Sequence, residues 1–282
     1  MLMKSKLFVL GIGLVLLCST GCNKLKSRDR INKGIQSYKS ARYADAVEFF
    51  KEAVELDPSN VTGRLYLATA YMSQYIPGAE SPDNLQLAKQ AKEEFVKVLE
   101  SHPNDTTALA SLASLSYQQA QGMPDLDQKI KKLDESKEWY LKLIAADPQN
   151  KEGFYSLAVI DWVKWYAAWM KARADLGMKP EEPGPIKDKK VKAELKEKYI
   201  AVVDDGMKNL EKALQIDKDY DDAMAYMNLL IREKADLDDT SDEYKSDVEK
   251  ADTWVQKALE TKKAKAAKEA AKASGGITTE SK

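Results

Sequence analysis

Apolar residues in this chain recur at the three-and-four spacing of a helix face, most plainly in "GIQSYKSARYADAVEFFKEAVELDP", Gly34 to Pro58. The pattern comes in copies. The stretches "ELDPSN", "ESHPND" and "AADPQN" place Pro58, Pro103 and Pro148 at intervals of 45, and "QIDKDY" at Gln215 to Tyr220 is a degenerate fourth. Between these marks lie pairs of amphipathic segments. Their core positions are Ala46, Phe50 and Ala53; Leu67, Ala68, Ala91, Phe95 and Val98; Leu112, Ala113, Ser136, Tyr140 and Leu143. They continue as Leu157, Ala158, Gly206, Leu210 and Ala213, then Met227, Asn228, Ala251, Val255 and Ala258. No run alternates at period two, so almost no strand is expected and the fold class is all-α. Helix breakers agree. Pro58, Pro103 and Pro148 close copies, while Pro77, Pro82, Pro124, Pro180, Pro183 and Pro185 fall between the two helices of a copy. Ser81, Pro82 and Asp83 lead into the second helix of copy two, with Asp or Asn as the expected cap.

The first copy resembles the tetratricopeptide repeat. Gly34 matches the small residue of that family's first helix, Ala46, Phe50 and Ala53 the packing positions of its second, and Pro58 the closing proline. Tyr43 and Ala46 stand at the usual places around the interhelical turn. The resemblance implies a right-handed superhelical solenoid of about five hairpins over 28–265, with repeats at about 28–60, 61–105, 106–150, 151–220 and 221–265. The period of 45 exceeds the family's 34-residue unit by about 11, roughly three helical turns, so lengthened helices that keep one apolar face are expected. Repeat four is longer by about 36 and includes "KPEEPGPIKDKK", Lys179 to Lys190. Residues 266–282 read as a polar Ala/Lys-rich tail that continues the last helix and frays at Gly275 and Gly276.

The N-terminus carries a different pattern: Lys4 and Lys6, the apolar run Leu7 to Leu17, then Ser19, Thr20 and Gly21 before Cys22. Eleven apolar residues rise only about 16 Å as a helix, half a hydrocarbon core, so residues 1–21 read as an export signal. The junction is similar to the bacterial lipoprotein box, in which a small residue precedes a cysteine that is acylated and becomes the first residue of the mature protein. That resemblance makes Cys22 the lipidation site, 22–27 a lipidated linker, and Cys18 part of the discarded signal. It departs from the box at Ser19, where the family prefers Leu. Ser19 and Gly21 equally suit an ordinary signal peptidase site cutting before Cys22, which leaves a soluble exported protein with a free thiol. Asn23 is not the Asp that retains enteric lipoproteins in the inner membrane, so the expected location is the outer membrane, facing the periplasm. With Cys18 removed, no disulfide can form within the mature chain.

Charge and chemistry narrow the function mainly by exclusion. The chain has 44 basic and 45 acidic residues; without the signal's two lysines 42 and 45 remain, a formal charge of −3, which argues against nucleic acid as a partner. The only histidine, His102, sits beside Pro103 in an interrepeat turn, and neither metal-ligand spacing nor a phosphate loop is present. Asp204 with Asp205, and Asp238 with Asp239, read as solubilising surface charge. The expectation is a non-enzymatic protein with no cofactor and no metal.

The family resemblance assigns the concave lining of such a solenoid to first-helix positions, which here are Tyr38, Met72, Tyr117 and Trp162, with Tyr155 from a neighbouring position. These five are the candidate partner-binding groove; the alternative is that lengthened helices cover them and they are ordinary core. Tyr155, Trp162 and Trp169 recur at intervals of seven, with Trp165 and Tyr166 beside them. This aromatic face either packs on the helix around Tyr199, Val202 and Val203, or leaves Trp165 and Trp169 as an exposed patch for a partner or membrane interface. The expected function is a lipid-anchored protein-interaction scaffold in assembly of an envelope complex, as in similar lipoproteins that serve barrel or pilus-secretin assembly. The alternative is a carrier holding a small hydrophobic or glycan ligand in the aromatic groove.

Overall fold

The computed structural model describes residues 22–179 and 181–275. Residues 1–21, where the export signal and Cys18 are expected, Pro180 and residues 276–282, which begin with Gly276, lie outside the described residues. Every regular element among the described residues is helical. They are α1 (22–39), α2 (Tyr43–Leu56), α3 (Val61–Met72), α4 (Pro82–Ser101), α5 (Thr106–Gln121), α6 (Leu126–Ala146), α7 (Lys151–Asp175), α8 (Lys189–Ile216), α9 (Asp221–Lys234) and α10 (Ser241–Gly275). A single 3-10 turn, Ala235–Leu237, follows α9. The chain forms two units that divide after Lys142, inside α6.

In the N-terminal unit, α2 packs on α3, α3 on α4 and α4 on α5. The core is the periodic set the sequence marks, with Ala46, Phe50, Ala53, Ala68, Ala91, Phe95 and Val98 fully buried. Small residues let the helices approach. A Cβ on Gly34 in α1 would lie 2.4 Å from the buried Phe50 ring, so glycine is required there. Sequence also sets the helix ends. Asn60 and Asp105 cap α3 and α5 by accepting from Gly63 N and Ala108 N. At α4 the cap is Ser81, which accepts from Asn84 N, with Pro82 in the first turn; neither Asp nor Asn has the expected role, because Pro at the first helical position fixes the cap one residue earlier. Asn84 is buried instead and closes the 76–84 loop, accepting from Ile76 N and donating to the Ile76 and Ala79 carbonyls.

In the C-terminal unit the hairpins are longer. The 25-residue α7 packs along the 28-residue α8, α8 on α9, and α9 on the 35-residue α10. Asn150 and Asp188 cap α7 and α8. Leu157, Ala158, Trp165, Val203, Leu210, Ala213 and Leu230 form the fully buried core. The insert of repeat four does not become helix throughout. Residues 183–188 form an irregular strap, pinned by Ile186 N donating to the Asp236 carbonyl at 2.9 Å and by the burial of the Ile186 side chain. None of the described helices is long and apolar enough to cross a membrane.

Candidate binding site

Helix α7 carries Tyr155, Trp162 and Trp169 along the side that meets α9 and the 3-10 turn. Tyr155 packs against Tyr220 and Tyr226, with ring centroids 5.2 and 5.4 Å apart. Trp162 stands edge-on to Tyr226 at 5.3 Å and tilts against Tyr166 at 4.9 Å, and its indole N–H donates to Glu233 Oε1 at 3.1 Å. Two turns on, Trp169 Nε1 donates to Asp236 Oδ2 at 2.7 Å. The next turn supplies Arg173, whose guanidinium is only 2% exposed, pairs with Asp236 and donates to the Lys179 and Glu182 carbonyls. Arg173 also lies 5.1 Å from the Trp169 ring centroid. The strap closes over this cluster: Gly184 N donates to the Tyr244 hydroxyl, and a Cβ on Gly184 would fall 1.7 Å from Asp236 Oδ1. No residue but glycine fits there.

These groups enclose a cleft of about 470 Å³, lined by Tyr166, Trp169, Glu182, Arg232, Glu233 and Asp236 among others. Its inner wall is electrostatically unusual. Glu233 is 5% exposed, and burial pushes its carboxyl up to about 8. The Trp162 N–H opposes that rise, helped by the nearby Trp165 indole although its N–H makes no hydrogen bond of good geometry, while the Asp236 charge adds to it. Glu233 Oε2 is buried with no hydrogen-bond partner. Burial also raises the Asp236 carboxyl, opposed by Trp169 and Arg173.

Two solved MamA structures share the helical architecture. The tetratricopeptide-repeat family model matches residues 32–60. MamA 41-end from Desulfovibrio magneticus RS-1 is 15% identical with a TM-score of 0.50, covering 85% of this chain and 96% of its own. The MamA RS-1 ArsTM double mutant gives 0.51 at the same identity and coverage. A thermophilic TPR protein of Thermus thermophilus is 15% identical over 73% of this chain and 98% of its own, at 0.41. No curated protein matches the sequence. The matched repeat coincides with the α1–α2 hairpin, where Gly34 meets Phe50. The chain contains a tetratricopeptide repeat.

As in such repeats, consecutive first helices pack side by side, α3 with α5 in one unit and α7 with α9 in the other. The groove candidates accordingly fall into two sets. In the N-terminal unit, which holds the tetratricopeptide repeat, Tyr38 and Met72 are half-buried against the core; the Tyr38 hydroxyl is 2.7 Å from Ser73 Oγ and its ring meets Tyr43 at 5.1 Å. Tyr117 is half-buried on α5. In the C-terminal unit, Tyr155 and Trp162 are half-buried among rings of their own unit. Trp165 corrects the sequence reading. It is fully buried, 6.0 Å from Tyr199, and so belongs to the α7–α8 contact and not to an exposed patch. Trp169 is half-buried and committed to Asp236. The face turns inward because the long α8 covers it on one side and the 3-10 turn on the other.

Sequence reasoning missed Arg173, Glu233 and Asp236, which as charged residues on amphipathic helices read as solvated. One signal was present: Arg173 continues the Trp162, Trp165/Tyr166, Trp169 face at the next helical step. Asp238, expected at the surface, buries one carboxylate oxygen. His102 is exposed in its turn. Among the described residues, no three His, Cys, Asp or Glu side chains are placed to hold a metal.

Proposed function

We propose that this protein is a non-enzymatic, lipid-anchored scaffold that holds protein partners at a bacterial cell envelope. The tetratricopeptide fold carries the scaffold reading, since repeats of this kind generally serve protein interaction and present side-by-side first helices to a partner. Cys22 supports the anchor: it is an exposed free thiol at the start of α1, directly behind an export-type apolar segment. Two or three acyl chains at about 0.8 kcal/mol per buried CH₂ hold a protein on a bilayer persistently. Outer-membrane placement and a role in assembling an envelope complex follow from Asn23 and from the lipoprotein resemblance.

Cys22→Ala moves the protein from the membrane to the soluble fraction, while the chain released at Asn23 keeps its helical far-ultraviolet spectrum. Retention of the variant on membranes after a high-salt wash contradicts the lipid anchor. One observation favours a carrier as second reading: a cleft of about 470 Å³ lies within the size range of small-molecule sites. Native mass spectrometry separates the two, because a carrier retains a ligand through purification and a scaffold does not.

A further inference from the structure

The C-terminal cleft places negative charge and aromatic surface where the repeat's architecture needs neither. Of its lining groups, Arg173 is committed to Asp236 and two backbone carbonyls, and Arg232 to Asn228 and Asp252. Glu181, Glu182 and Glu233 are left without a cationic partner in the cleft. Glu181 and Glu182 are exposed at the mouth, Glu233 is at the inner wall, and the 38%-exposed Tyr166 and the half-buried Trp169 stand beside it. A buried carboxylate oxygen with no partner is costly, and here that oxygen belongs to a residue lining an open cleft.

We propose that this cleft receives the ammonium group of a lysine side chain from a protein partner, with the Glu233 carboxyl at the inner wall and Glu181 and Glu182 at the mouth as its counter-charge and Tyr166 and Trp169 as the wall for its aliphatic stem. The inference deepens the scaffold reading and rests on it for the identity of the partner as a protein. Three features select this occupant. An anion would meet the carboxylates of Glu181 and Glu182 with both guanidinium groups already engaged. A guanidinium needs two acceptors in its own plane, but Glu233 Oε1 is held by Trp162 and Oε2 is buried, so the carboxyl offers no open fork, which suits a point charge. Aromatic walls bind both the methylene stem and the cation, as an apolar pocket alone would not. The same features say why the site stays poised. Glu233 is largely protonated at neutral pH, and an entering ammonium favours its charged form and displaces the proton to solvent.

The test is a nuclear magnetic resonance titration of the full chain at pH 7 with acetyl-Ala-Lys-Ala-amide, its Nε-acetyllysine counterpart, and cadaverine, following the Trp162 and Trp169 indole N–H signals. The lysine peptide is expected to move both signals saturably and the acetylated peptide to leave them in place. Glu233→Gln, which keeps an acceptor for Trp162, weakens the lysine peptide by about tenfold or more. Tyr166→Ala, at the exposed rim, weakens it by about threefold. Calorimetry in buffers of different ionisation enthalpy detects proton release for wild type and none for Glu233→Gln. Equal shifts from the acetylated peptide, undiminished binding by Glu233→Gln, or no saturable shift overturns the proposal. Cadaverine binding as tightly as the peptide overturns the partner assignment in favour of a free diamine. Failure of every probe, with the lipidated protein still cross-linking to a defined envelope protein, refutes the lysine site and leaves the scaffold reading standing.

Discussion

Among the described residues, the N-terminal unit buries polar side chains that are all neutral: Ser27, Ser37, Asn84, Ser116 and Ser136. Those of the C-terminal unit are all ionisable: Asp161, Arg173, Lys192, Glu233 and Asp236. In the first unit such side chains serve local architecture, as where Ser27 Oγ donates to the Ala53 carbonyl and Ser136 Oγ to the Ala113 carbonyl, both joining neighbouring helices. Neutral donors of this sort satisfy a carbonyl and add about 1 kcal/mol each. Buried charge is different, because desolvation can exceed the attraction that pairing returns. A repeat hairpin does not require it, as the first unit demonstrates. The second unit therefore carries something besides packing, and Arg173, Glu233 and Asp236 converge where the α7 aromatics, the 183–188 strap and the 3-10 turn meet.

The largest effects should come from removing the central residue of each unit, and they should differ in kind. Phe50→Ala opens a cavity under Gly34 and Tyr66 and is expected to cost about 3–5 kcal/mol at any pH between roughly 5 and 8.5 by chemical denaturation. Arg173→Met leaves Asp236 buried without its cation and is expected to cost a similar amount, about 3–5 kcal/mol, at about pH 8.5. That loss should shrink as pH falls, since burial already raises the Asp236 carboxyl and removing Arg173 raises it further towards the neutral form. An Arg173→Met loss that is independent of pH would mean the pair contributes packing alone.

Trp162→Ala comes next, at about 2 kcal/mol, because the ring is half-buried between Tyr166 and Tyr226 and its removal leaves Glu233 Oε1 without a donor. A loss as large as that of Phe50→Ala would make Trp162 ordinary core. The smallest effect is a gain. Ala41, in the turn joining α1 and α2, has a φ of 56°, and Ala41→Gly should stabilise the N-terminal unit by about 1 kcal/mol, read as a raised Tm.

The same contrast governs how much was legible in the sequence. Ala46, Phe50, Ala91, Phe95, Leu157, Ala158, Leu210 and Ala213 are buried where their spacing puts them, because each faces its neighbour within one hairpin and the helical period alone decides the side. Trp165 and Trp169 could not be separated that way. They are one turn apart on one face, and what buries the first fully and ties the second to Asp236 comes from α8 and from a turn 67 positions later in the chain. Ile186 was unreadable for the same reason: it lies in a Pro- and Lys-rich stretch with no period, and its burial depends on the carbonyl of Asp236. Charged residues were hardest, since a buried Glu233 and a solvated one look alike until the partners are placed.

The central claim is that Glu233 is held in the fold for binding and at a cost to stability. Its carboxyl is raised from the ordinary 4.5 to about 8, so between those values the folded chain binds a proton that the unfolded chain does not, and stability falls as pH rises through that window. Glu233→Gln removes the titration while keeping an acceptor for Trp162. The decisive measurement is thermal unfolding of wild type and Glu233→Gln across pH 5 to 8.5. The account predicts nearly equal Tm values at pH 5 and a variant that becomes progressively the more stable towards pH 8.5. A variant less stable than wild type at pH 8.5 would show that the carboxylate is a net structural support, and would contradict the claim.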